Sequence, residues 1–89
     1  YHKDPFTLDQ NSPNPFTDET TLQFTTGQAG DVSFRVMDIL GNIVHSQDVN
    51  ASPGKNTIKF RNTGLSNGVY MYTLSNGSKS ITKKMIVRK

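Results

Sequence analysis

The spacing of the apolar residues constrains this chain most: they alternate with polar ones over roughly five to eight residues and then stop at a turn signal. Leu22 and Phe24 alternate with Thr21, Gln23 and Thr25, and Val32, Phe34 and Val36 alternate with Ser33 and Arg35. Successive side chains of a strand point to opposite faces, so a period of two marks strands with one face in a core and the other in water. That period fits better than the 3.6 of a helix nearly everywhere. The polar remainder is dominated by Thr, Ser, Asn and Gly, which suit exposed strand faces and tight turns rather than helix interiors.

The two alternating stretches, separated by Gly27 to Gly30, are expected to pair as a hairpin. Gly41-Asn42 is a tight-turn dipeptide leading into a third strand, Asn42 to Val49. Ser52-Pro53-Gly54 ends that strand, and Ile58 and Phe60 form the inward side of the next, about Lys55 to Arg61. After a turn at Leu65-Ser66-Asn67-Gly68, Tyr70, Tyr72 and Leu74 face one way and Val69 and Met71 the other, which predicts a central strand buried on both faces. Asn76-Gly77 is the strongest hairpin signal and predicts a type I′ turn, with the last strand, about Lys79 to Arg88, pairing back. Phe6 and Leu8 add an early strand before Asn11-Ser12-Pro13-Asn14-Pro15, where two prolines cannot donate to a ladder and fix an extended turn. About seven short strands at roughly 8 to 12 residue spacing is the pattern of an all-β sandwich. Leu65, Gly68 and Tyr70 also fit the start of a tyrosine corner, in which the Tyr hydroxyl caps backbone of a loop crossing between sheets.

A chain of 89 residues has room for one domain with one thin core. Residues 1–5 read as the end of a linker and 6–89 as the domain, with Tyr1 a cut end. Hydrophobic residues make up 33% of the chain and charged residues 19%, too little charge for a disordered tail and too few aliphatics for a thick core. Stability is expected to be moderate and sensitive to loss of Phe24, Phe34 or Tyr72. The net charge of +3 favours solubility and selects no partner. With no cysteine there is no disulfide framework and no thiolate metal site. No apolar run approaches the ~18 residues of a spanning helix, and nothing resembles a signal peptide.

Catalytic chemistry is hard to assemble from these residues. His2 lies in the first few residues and His45 in the third strand, where its parity with Ile43 and Val49 turns it partly inward in a structural or exposed role. No serine sits in a G-x-S-x-G turn. The carboxylates Asp4, Asp9, Asp18, Glu19, Asp31, Asp38 and Asp48 fall near strand ends and read as turn formers, a loop-rigidifying calcium being the alternative. Asn50-Ala51-Ser52 and Asn76-Gly77-Ser78 match the glycosylation pattern, a common three-residue coincidence. Lys79, Lys83, Lys84, Arg88 and Lys89 make the last strand basic, but no stacking aromatics accompany them, so nucleic acid is not an expected partner.

That last strand carries one unexplained feature. Ile81, Met85 and Val87 face the core, which puts Lys83 inward and Ile86 outward between Lys84 and Arg88. An inward lysine guards an edge strand against strand addition or marks a bulge. An outward Ile flanked by cations reads instead as a docking surface, and both readings stand.

Four pieces of the chain together resemble one family. They are Leu8 to Phe16 with its Pro13-Asn14-Pro15-Phe16 element, the Asp38 to Val44 turn around Gly41, Leu65 to Tyr70 with Gly68, and Lys83-Lys84-Met85-Ile86-Val87. In order and spacing they resemble the C-terminal sorting domain of the type IX secretion system, type A. Ser12 stands where that family often has an aromatic, and Phe60-Arg61 where it often has Trp-Asp. The resemblance implies an immunoglobulin-like β-sandwich of about seven antiparallel strands, without catalysis or cofactor. It implies a secretion signal fused to an upstream cargo, which passes through the periplasm and then reaches the cell surface or the extracellular space. The implied partners are the outer-membrane type IX translocon and a surface sortase-like peptidase that often removes the domain. Lys83, Lys84, Met85, Ile86, Val87, Arg88 and Lys89 are the candidate recognition residues, and Pro13, Asn14, Pro15, Phe16, Gly41, Gly68 and Tyr70 are the motif positions that set the backbone. A weak homodimer is a further expectation. The competing expectation is a non-catalytic immunoglobulin-like binding or adhesion module appended to a secreted enzyme.

Overall fold

The computed structural model describes residues 6–62 and 64–88, so the linker expected at 1–5 and the candidate Lys89 lie outside the described residues. Seven antiparallel strands form: β1 Phe6–Leu8, β2 Glu19–Thr26, β3 Gly30–Met37, β4 Ile43–Ala51, β5 Gly54–Arg61, β6 Gly68–Ser75 and β7 Ser80–Val87. They divide into a three-stranded sheet of order β1-β2-β5 and a four-stranded sheet of order β4-β3-β6-β7. The alternation does what its period requires: Leu22, Phe24, Val32, Phe34, Val36, Ile58, Phe60, Tyr72 and Leu74 are all buried between the layers. Phe34 sits at the centre, its ring edge-on to Phe60 at 6.0 Å and tilted against Tyr72 at 6.3 Å. His45 turns inward, its ring 5.0 Å from that of Phe60, and its Nε2 lies 2.6 Å from Oε1 of Gln47. Asn11, Thr20 and Thr26 are the buried polar residues, and no buried side-chain polar atom lacks a partner among the described residues.

Three local expectations are corrected. β2 and β3 do not form a hairpin: β2 pairs with β1 and β5, whereas β3 pairs with β4 and β6. The Gly27 to Gly30 segment therefore carries the chain across the sandwich, which alternation alone cannot distinguish from a hairpin. β6 is central, between β3 and β7, but only one of its faces is covered, and Val69 is 40% exposed on the other. Finally, the β6–β7 connection is not type I′. Ser75 pairs with Ser80, leaving a four-residue loop in which the Asn76 side chain accepts from the N–H groups of Ser78 and Lys79. Only Gly77 takes positive φ there, at 94°, because the side-chain acceptor replaces the second left-handed residue that a type I′ turn needs.

The turn after β3 is built around Asp38. Its Oδ1 accepts from the N–H groups of Leu40 and Asn42, its Oδ2 accepts from Asn42 Nδ2, and its carbonyl accepts from the N–H of Gly41, which sits at φ 88°. These donors, the backbone N–H of Asn42 foremost, hold the Asp38 carboxyl below its ordinary range. As the chain enters β4 the register shifts by one residue, since Val36 faces His45 while Met37 faces Ile43. The bulge thus falls at Val44 and not in β7, whose ladder with β6 is continuous past Lys83.

Candidate functional site: the strapped C-terminal strand

β7 is the last strand of the four-stranded sheet and has one edge on β6. Met85 and Val87 are buried in the core, Lys83 is half-buried opposite Tyr72, and Lys84 is exposed on the outward face with Ile86 half-buried beside it. An unpaired edge of this kind is a template for strand addition. Here that edge is occupied over its C-terminal half by residues 10–17, a segment we call the strap.

Each contact uses the backbone of β7. The side-chain nitrogen of Gln10 donates to the carbonyl of Lys84 at 2.6 Å. The N–H of Ile86 donates to Oδ1 of Asn14 at 2.9 Å, and the carbonyl of Ile86 accepts from the N–H of Phe16 at 3.0 Å. The N–H of Arg88 donates to the carbonyl of Phe16 at 3.0 Å, and the Thr17 hydroxyl donates to the carbonyl of Arg88 at 2.9 Å. Phe16 and Val87 thereby form a parallel bridge inside an otherwise antiparallel fold.

The strap is fixed from beneath. Phe16 is 2% exposed with its ring edge-on to Phe60 at 6.1 Å. Nδ2 of Asn11, itself buried, donates to Oγ1 of Thr20 at 2.9 Å and to the carbonyl of Pro13 at 3.2 Å. The Tyr72 hydroxyl, at the sandwich centre, accepts from the N–H of Asn11 at 3.0 Å and donates to the carbonyl of Asp9 at 3.1 Å. Burial pushes the Tyr72 hydroxyl up in pKa. The peptide bonds before Pro13 and Pro15 are both cis. At the far end of β6, the Tyr70 hydroxyl donates to the carbonyl of Ser66 at 2.8 Å, closing the tyrosine corner that the spacing predicts.

The motif positions therefore fall into two groups. Pro13, Asn14, Pro15 and Phe16 meet β7 directly or carry the residues that do, whereas Gly41, Gly68 and Tyr70 shape turns and the start of β6. Reading the prolines only as ladder-breakers misses the strap, because the pairing groups are Asn14 and Phe16 beside them. A lone buried phenylalanine in the polar run from Gln10 to Glu19 is the signal that points to it. Among the described residues no group of three or more His, Cys, Asp or Glu side chains is placed to hold a metal ion.

An all-β sandwich of antiparallel strands in two sheets is the fold on which the comparisons bear. Residues 12–88 match the model of the secretion system C-terminal sorting domain, and the chain belongs to that family. It is a sorting signal of the type IX secretion system, which moves its cargo across the outer membrane to the cell surface or the extracellular space. Among solved structures, the crystal structure of dimeric latent PorU from Porphyromonas gingivalis superposes with a TM-score of 0.69 at 25% identity, over 93% of this chain and 9% of that one. A β-glucosidase from Kluyveromyces marxianus shares the fold alone, with a TM-score of 0.54 at 16% identity over 97% of this chain and 15% of that one. The chain thus spans a small fraction of the proteins it superposes on. No curated protein matches it.

Proposed function

We propose that the domain, residues 6–89 behind a linker ending near residue 5, delivers an upstream fused cargo from the periplasm to the outer-membrane type IX translocon, which reads the segment Lys83 to Lys89. The domain contributes recognition and no catalysis, and a surface sortase-like peptidase removes it after transit. The observation that carries this reading is the state of β7: its backbone is hydrogen-bonded on both sides between Lys84 and Arg88, while Lys84 and Arg88 stay exposed. Over its C-terminal half a folded β7 therefore offers a reader its outward side chains and not its edge. This favours the reading of outward Ile86 and its flanking cations as a docking surface.

The test is export of a periplasmic fluorescent cargo fused to residues 1–89, in a host with the type IX system. The full fusion is expected at the surface or in the medium. A fusion ending at Lys79 is expected to stay in the periplasm, as is the folded full-length variant carrying Lys84→Glu and Arg88→Glu. Equal export of all three would overturn the reading. Retention of all three with the domain folded would favour the binding or adhesion module instead.

A further inference from the structure

The face of the four-stranded sheet that looks away from the core is apolar along one row. Register places Ile43 beside Met37, Met37 beside Met71 and Met71 beside Lys84, with Val69 beside Ile86 as the adjacent pair. The apolar row crosses three strands, β4, β3 and β6, about 10 Å at ~4.8 Å between neighbours, and meets Lys84 on β7. It is most open at its margins, where Ile43 is 56% exposed, Val44 39% and Val69 40%, with Met37 and Met71 half-buried between them. At its β4 end the Asp38 turn holds Ile39 and Leu40 out at 77% and 82% exposed. The bulge at Val44 adds to the patch, since the extra residue puts a second apolar side chain beside Ile43. Scattered exposed apolar residues need no explanation, but a contiguous row marks a binding surface.

Charge is set unevenly around that row. Lys84 and Arg88 border it on the β7 side, exposed Arg35 shares the face two residues before Met37, and Asp38, kept ionised by its turn donors, borders it at the β3–β4 turn. A uniformly anionic lipid surface would attract the first border and be repelled by the second. A protein surface can match both. The row is also continuous with Lys84, Ile86 and Arg88, the outward residues of the strand read as the signal.

We propose that this outer face is where a protein of the export machinery docks, through an apolar protein surface carrying carboxylates opposite Lys84 and Arg88 and a cation opposite Asp38. The Asp38 turn is then part of the recognition surface, two to three strands across the sheet from the C-terminal segment. The proposal rests on the translocon-recognition reading above, and its test separates the two. In the full cargo fusion, Leu40→Asp together with Ile43→Asp alters exposed side chains and leaves β7 and the strap untouched. Export is expected to fall by about tenfold or more, with near-UV circular dichroism and melting of the isolated domain unchanged. Wild-type export by this variant, alongside lost export by the Lys84→Glu, Arg88→Glu variant, overturns the docking face and leaves recognition through β7 standing. Wild-type export by both overturns both.

Two direct measurements on the isolated domain address other occupants. Co-sedimentation with phosphatidylglycerol vesicles that the Leu40→Asp, Ile43→Asp variant loses would replace the protein partner with a membrane. A micromolar dimer in sedimentation velocity that the same variant abolishes would replace it with a second copy of the chain. The expected result is a monomer that ignores the vesicles.

Discussion

Ile86 and Asn14 are joined by a hydrogen bond of 2.9 Å, the N–H of Ile86 donating to Oδ1 of Asn14. The bond ties the strap to the strand read as the signal through a single side chain, with prolines on either side of the acceptor.

Replacing Asn14 with Ala removes that acceptor but leaves the N–H of Ile86 within reach of water. The expected loss is that of one ordinary hydrogen bond, about 0.5–1.5 kcal/mol, a fall in Tm of about 4–8 °C per kcal/mol for a domain of this size. Amide exchange should quicken at Ile86 and Arg88 more than at Tyr72. Uniform quickening along the chain would mean that Asn14 acts on the whole fold and not on the strap.

Tyr72→Phe should cost more, about 1–3 kcal/mol, because the N–H of Asn11 is left without its buried acceptor. The same variant isolates a pH effect. Burial raises the Tyr72 pKa above its ordinary 10.0, so the unfolded chain loses this proton first as the pH climbs. The stability tied to the protonated hydroxyl is complete below pH 10 and is lost as pH rises through the folded value. Denaturant melts across that range should show the wild type losing its advantage over Tyr72→Phe.

Asp38→Asn preserves the shape of the turn and removes its charge, and it turns one amide nitrogen toward the Asn42 amide. Because the folded carboxyl is held below 3.8, the stability it supplies is present above that pH and is lost as pH falls through the lower folded value. The wild type should melt above Asp38→Asn at neutral pH, and calorimetry should show the gap closing below about pH 3.8.

Phe34→Ala opens a cavity where three aromatic side chains meet, and substitutions of that kind cost about 3–5 kcal/mol. In a domain with so thin a core this should leave most molecules unfolded at 37 °C, visible as loss of near-UV circular dichroism. A cooperative melt close to that of the wild type would show that Phe60 and His45 collapse into the space.

Much of this architecture is legible in the sequence because it depends on local pattern. The period of two, together with the turn signals between the runs, locates the strands, and the spacing from Leu65 to Tyr70 predicts the tyrosine corner that the bond from Tyr70 to Ser66 closes. What is not legible depends on partners distant along the chain. Alternation at Leu22 and Val32 cannot say which sheet each strand joins, and Val69 with Met71 looks like a second core face because nothing local says that no third layer covers it. Asn76-Gly77 is read correctly as a reversal and wrongly in type, since side-chain capping by Asn76 substitutes for a left-handed residue. For the site, the inward and outward parity of β7 follows from its sequence, Lys83 included. The strap does not, because its bonds depend on bringing Asn14 and Phe16 to Ile86 and Arg88.

The strap contact also bears on synthesis. Asn14 and Phe16 leave the ribosome long before Ile86 and Arg88, so the pairing that closes the sandwich waits for the domain's last residues. A message broken before that point yields a product whose early segment has nothing to grip. Only a chain translated through Arg88 holds both halves of the contact and can complete the sorting domain.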